Sequence, residues 1–197
     1  DRWHAIWLRT LERLEGPAHG RFGLERARHA EALDASDAAI QALLDNATWA
    51  LGPAEQATQR GLEAARQACS LALNARDPVR AGRAERIRAE LLRQSGRPHE
   101  AIAVLDALEP RLMMPTARSE HAWCVLTRGL LALDAGRLDA AQHHFEEADS
   151  LFVAAQEPDG RLWVQVGQGH VACRRGHHRL ARTLGRDAEQ GFKASGN

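Results

Sequence analysis

Apolar residues along this chain recur at the spacing of a helix rather than that of a strand. The segments "WHAIWLRTLERLE" from Trp3 and "FGLERARHAEALD" from Phe22 each carry an apolar stripe of helical period, and "GPAHG" between them interrupts it. The residues in use are helix formers, Ala, Leu, Arg, Glu and Gln, with no Tyr and few β-branched positions, so strands are not expected.

A longer period lies over the helical one. "GRPHEAIAVLDAL" from Gly96, "GRLDAAQHHFEEA" from Gly136 and "GHHRLARTLGRDA" from Gly176 align, their glycines 40 residues apart twice. Ala101, Ala141 and Ala181 stand five residues after each glycine, and Ala89, Gly129 and Gly169 seven before it. Nine residues after it come Leu105, Phe145 and Gly185, and twelve after it Leu108, Ala148 and Ala188. Trp123 and Trp163 keep the same spacing. The pattern predicts a helix, a glycine turn, a second helix and a connector, because a left-handed residue that ends a helix carries no Cβ penalty when it is glycine. Small residues let the two backbones approach at their crossing, and bulkier ones fill the space where the axes diverge. One such pair cannot bury its own apolar face, so successive pairs must stack.

This order of small residue, turn glycine, alanine, bulky residue and alanine resembles the tetratricopeptide repeat, most fully between Ala122 and Phe152. The resemblance implies an all-α, right-handed superhelix (an α-α solenoid) of about five antiparallel helix pairs. Residues 1–197 are expected to form a single repeat domain, excised from a longer chain. Within it, 1–34 is a divergent pair with its turn near Gly16, and 36–76 is a weaker repeat with Gly52 at the turn followed by Ala57, Gly61 and Ala64. The segments 79–114, 116–156 and 158–195 are clear repeats, and the helices are expected to run roughly 14 to 20 residues, near the usual length in globular proteins. Arg128 and Gln168 fall where the family usually has leucine, and the unit is longer than the family's usual length of about 34 residues.

Charge and cysteine content narrow the function. Twenty-six basic and twenty-six acidic side chains cancel, so no global field draws the chain to nucleic acid or an anionic membrane. Arg76, Arg80, Arg83, Arg86, Arg88 and Arg93 form a basic stretch, but Glu85 and Glu90 interrupt it, and Glu90 at i+4 from Arg86 reads as an ordinary solvated helix face. Cys69, Cys124 and Cys173 are odd in number and widely spaced, which fits a reducing compartment, and the chain is read as cytoplasmic. No apolar run approaches the ~20 residues of a membrane span.

"CRRGHHRLAR" from Cys173, with His170 upstream, has the look of a metal ligand set. His170 and Cys173 at i and i+3 can share a helix face, but Gly176 is the turn glycine and His177 and His178 simply follow it, in the places of Arg97 and Pro98 one repeat and of Arg137 and Leu138 the next. No fourth ligand is evident. His143 and His144 read as helix surface, the paired Glu146 and Glu147 as a solvated face, and Cys124 as an inert core thiol. The nucleotide-binding, serine-nucleophile and zinc-protease motifs are missing. Neither catalytic residues nor a metal or other cofactor is expected.

What remains is a binding scaffold, and the family resemblance implies a concave surface lined by the first helix of each pair. Carried over, its residues are Arg83, Arg86, Glu90, Arg93 and Gln94, then Trp123, Leu126, Leu130, Leu133 and Asp134, then Trp163, Val166, His170, Cys173 and Arg174. The Lys and Asn set of chaperone-tail clamps is absent, since Lys193 is the array's one lysine. The expected partner is a protein or peptide, another domain of the same chain included, with self-association expected through one end. Repeats of this length also resemble those fused in bacteria to diguanylate cyclase (GGDEF) or DNA-binding output domains, with "EPDGR" from Glu157 and the final "SGN" as connectors. Trp123 and Trp163 either anchor a partner in the groove or pack against the second helix of the preceding pair.

Overall fold

A computed structural model describes residue 5 and residues 22–52 and 58–195. The expected turn at Gly16, Ala57 and the terminal "SGN" connector beyond Ser195 lie outside the described residues. The three glycines of the 40-residue period are in the left-handed region, with φ of 72° at Gly96, 73° at Gly136 and 80° at Gly176. Each closes its helix in the same way. The amide that follows it reaches back to the carbonyl five residues earlier, Arg97 to Leu92 at 2.9 Å, Arg137 to Ala132 at 2.9 Å and His177 to Ala172 at 2.8 Å.

Three further turns use the same bonding without glycine. Asp34, Arg76 and Gln156 have φ of 57°, and the following amides bond from Ala35 to Ala30, Asp77 to Ala72 and Glu157 to Phe152. Glycines therefore mark the turns inside pairs, while polar residues that carry a Cβ serve between pairs. Gly52, at the turn of the weaker repeat, is a bend and does not take the left-handed conformation.

Among the described residues there are nine α-helices and no strand. They are α1 (Gly23–Glu31), α2 (Ser36–Trp49), α3 (Thr58–Asn74), α4 (Pro78–Gln94), α5 (Pro98–Leu108), α6 (Arg118–Asp134), α7 (Leu138–Ala155), α8 (Pro158–Arg174) and α9 (His178–Ser195). Pro78, Pro98 and Pro158 open their helices, where a missing N–H costs nothing, and Asp77 caps α4 by accepting from the Arg80 amide at 2.9 Å. At 9 and 11 residues, α1 and α5 are shorter than the sequence reading expected. In α5 the cause is Pro110, which lacks an amide for the next helical bond, so the chain tightens into short 3₁₀ turns at Glu109–Leu112 and Pro115–Ala117.

The contacts divide the chain into two compact units, Asp1–Arg111 and Leu112–Asn197. In the first, α1 packs on α2, α2 on α3, α3 on α4 and α4 on α5, and α2 also touches α4. In the second, α6 packs on α7, α7 on α8 and α8 on α9, and α6 also touches α8. Neighbour on neighbour, with first helix on next first helix, is the packing order of an α-α solenoid. The fold is all-α and of that class.

The first unit's core is built on alanine, with Ile40, Leu43, Leu44, Ile87 and Leu91 among Ala39, Ala64, Ala68 and Ala84. The second is built on two phenylalanines, Phe145 and Phe152, both fully buried. A Cβ added at Gly129 of α6 or at Gly167 of α8 would stand 2.6 Å from the Phe145 ring, and one at Gly160 would stand 2.3 Å from Phe152. The Phe145 ring of α7 is thus clamped between glycines of the helices on either side.

Candidate functional site

Arg83, Arg86, Glu90 and Arg93 share α4 in the first unit, and all are partly buried. Glu90 accepts from Arg93, Oε2 from Nε at 3.0 Å and Oε1 from Nη2 at 2.8 Å, and from Gln94 at 3.2 Å. Arg88 pairs with Glu85 at 2.8 Å, and Arg80 bridges Asp77 and Asp37 at 2.5 and 2.6 Å. Acidic neighbours therefore neutralise much of the basic stretch seen in the sequence.

In the second unit the first helices supply the remaining candidates. On α6, Leu126 and Leu133 are 4% and 6% exposed and belong to the core, while Trp123 and Leu130 are partly buried. Burial takes the two leucines out of reach of a partner. Trp123 packs edge-on against Phe152 of α7, with centroids 5.1 Å apart and planes at 76°, and its Nε1 donates to Glu157 at 3.3 Å. The tryptophan thus leans on the second helix of its own pair. On α8, Val166 is partly buried, while Trp163, His170, Cys173 and Arg174 are exposed. Trp163 is 49% exposed and stands edge-on to Phe192, with centroids at 5.3 Å and planes at 60°.

The Trp–Phe pair is itself a repeated feature, Trp123 with Phe152 and Trp163 with Phe192, and each member is 40 residues from its counterpart. The first pair is covered by the start of α8, where Glu157 accepts hydrogen bonds from the Trp123 indole N–H and the Ser119 hydroxyl, and Gly160 lies over the Phe152 ring. No described residue covers the second pair in that way. Gly185 stands where α7 has Phe145, and a Cβ there meets nothing within 4 Å.

Charge divides the same way, which whole-chain neutrality concealed. Residues 118–157 hold three basic and seven acidic side chains, and residues 158–195 hold seven basic and three acidic. Counting charge by repeat, not by chain, exposes this in the sequence alone. Two ion pairs join the hairpins, Arg161 to Asp149 at 2.8 Å and Arg175 to Asp139. Each unit also has a groove between successive second helices that the sequence reading did not anticipate. That between α3 and α5 holds about 430 Å³ and is lined by the pairs Glu63–Arg66 and Arg97–Glu100. That between α7 and α9 holds about 370 Å³, with Val171, Leu180 and Leu184 facing Gln142 and Glu146.

Burial, with Glu85 beside it, pushes the Cys69 thiol up to about 11 and away from the reactive thiolate. Burial also holds His144 below the ordinary histidine value, although Glu147 at 3.7 Å opposes it. Among the described residues no three His, Cys, Asp or Glu side chains are grouped to hold a metal, and His170, Cys173, His177 and His178 are all exposed. No helix among them is long and apolar enough to cross a membrane. No family model matches the chain, and no curated protein or solved structure is significantly similar to it.

Proposed function

We propose that the chain is a non-catalytic, tetratricopeptide-like scaffold for protein–protein interaction, part of a larger bacterial signalling protein in the cytoplasm. It binds a peptide segment or a domain, and the exposed row on α8, Trp163, His170 and Arg174 beside Val166, is where it does so. The observation that carries this reading is the exposure of Trp163 at 49%, since large aromatic and arginine side chains left accessible on a rigid helical face supply most of the binding energy in such interfaces. The resemblance to regulatory repeats supports a second reading, a sensory or dimerisation segment that controls a fused diguanylate cyclase or DNA-binding domain. It requires such a domain on the same polypeptide.

The scaffold reading is tested by cross-linking in the native host, with the wild-type chain compared with Trp163→Ala and Val166→Asp variants whose helix content is verified by circular dichroism. Loss of one specific cross-linked partner from both folded variants is the expected result. An unchanged cross-linking profile would overturn the assignment of α8.

A further inference from the structure

In the groove between α3 and α5 the charges are matched one for one, Arg66 with Glu63 at 2.7 Å and Arg97 with Glu100 at 2.6 Å. A smaller pocket between α4 and α5 adjoins this groove, and Arg88 and Val104 line both. Here the balance fails. Two guanidiniums, Arg88 and Arg111, stand in its lining against one carboxylate, Glu85, which leaves one positive charge over. Glu85 is already engaged, since it pairs with Arg88 Nη2 at 2.8 Å and accepts a hydrogen bond from the buried Cys69 thiol. Arg111 has no hydrogen-bond or ion-pair partner among the described residues, and its charge acts on Cys69 together with that of Arg88, so the two guanidiniums converge. The Arg88 Nε is buried and has no hydrogen-bond acceptor among the described residues. A charged N–H withdrawn from water without an acceptor is costly, so this pocket is short of one acceptor and one negative charge. Its remaining wall is apolar, built from Val104, Ala107 and Leu108 of α5.

We propose that the pocket between α4 and α5 binds a short-chain monocarboxylate, its carboxylate held by Arg88 Nε and the Arg111 guanidinium and its hydrocarbon chain lying on Val104, Ala107 and Leu108. One negative charge neutralises the pocket, whereas a dianion would overcharge it. The apolar wall excludes a polar body, since it has no side chain to pair with a hydroxyl or an amide. The pocket holds about 200 Å³, room for roughly seven heavy atoms at a water's share of liquid volume each, so the chain has about five carbons in all. The proposal does not depend on the scaffold reading, because the α8 row lies in the other unit and ligand binding tests this pocket alone.

The test titrates the 197-residue chain with valerate and follows binding by nuclear magnetic resonance. Saturation at one site is expected. Acetate and inorganic phosphate, which have the charge without the chain, should bind at least about tenfold more weakly, the weight of the methylenes they lack. Valeramide, which has the chain without the charge, should not bind detectably. In the protein, Arg88→Met should weaken valerate about tenfold or more, as expected for loss of a charged hydrogen bond. Arg111→Gln should weaken it about three- to fivefold, the effect of an exposed ion pair. Ala107→Phe fills the pocket from an exposed position and should abolish binding. Circular dichroism establishes that the variants are folded, and Arg111→Gln and Ala107→Phe decide the matter if Arg88→Met is not. Valerate that fails to saturate, that phosphate or valeramide matches, or that binds the folded variants as it binds the wild-type chain would overturn the proposal.

Discussion

The α6–α7 and α8–α9 hairpins are the same structural sentence written twice, and their interiors agree. Ala148 and Ala188 are both buried where the helices of a pair cross, and the turn glycines have the same backbone. Their outer faces do not agree. Phe152 is fully buried beneath Gly160, while the Trp163 and Phe192 rings stand edge-on with half of the indole open. In a stacked architecture the inner crossing belongs to the pair, but the outer face belongs to whatever lies next to it. Sequence register therefore says which residues are equivalent without saying which of them are core.

The comparison can be broken most directly at its two phenylalanines. Phe152→Ala is expected to lower stability by about 3 to 5 kcal/mol, the cost of emptying a filled core site. Phe192→Ala, at the open counterpart, should lose well under half of that, and denaturant unfolding of the two variants reads the difference. Equal losses would mean that Phe192 is as buried as Phe152.

Added bulk sharpens the same contrast. Gly167→Ala places a methyl group against the Phe145 ring and should cost about 1 to 3 kcal/mol through overpacking. Gly185→Ala meets open space on an exposed helix and should gain up to about 1 kcal/mol through helix propensity. Thermal unfolding must give the two changes opposite signs.

The turns form a gentler comparison. Gly136→Ala puts a Cβ into the left-handed region and should cost about 1 to 2 kcal/mol, while Gln156→Gly relieves that strain and should gain up to about 1 kcal/mol. Chemical denaturation of both variants checks this. A loss at Gln156→Gly would mean that its side chain, not its backbone, holds the turn.

The smallest expected effect depends on pH. His144 of α7 has Leu184 as its counterpart on α9, so only the first hairpin carries a titrating group at this place. Burial holds the His144 value below 6.5 in the folded chain, so between that lowered value and 6.5 the unfolded chain binds more protons. The contribution of the neutral imidazole is complete above 6.5 and is lost as pH falls through the lowered value. His144→Leu should flatten the decline of stability between about pH 7 and pH 5, where an unperturbed histidine would titrate. An unaltered slope would show that other groups cause it.

Much of the fold was legible because its signals are local. A glycine at a left-handed turn, a proline at a helix start and alanines at a crossing act within one or two turns of chain, so the period of 40 and the helix pairs could be read directly. The between-pair turns were harder to see, because Asp34, Arg76 and Gln156 hold the left-handed backbone without the residue that announces it. The candidate row on first helices was legible as a set of equivalent places, but not as a surface. Leu126 and Leu133 were equivalent to Val166 and Cys173 in the sequence, and only the tertiary packing placed the first two in the core.

By itself, then, the sequence determined that this protein is all-α, where its helices turn and which residues occupy corresponding places, since these follow from backbone sterics and the spacing of side chains along one helix. Only the tertiary structure decided which Trp–Phe pair is covered and which is open, and that Phe145 of α7 is clamped by glycines from both sides while Gly185 of α9 faces open space. Burial is a property of neighbours contributed by other helices, and two residues identical in type and register differ in it as soon as their neighbours differ.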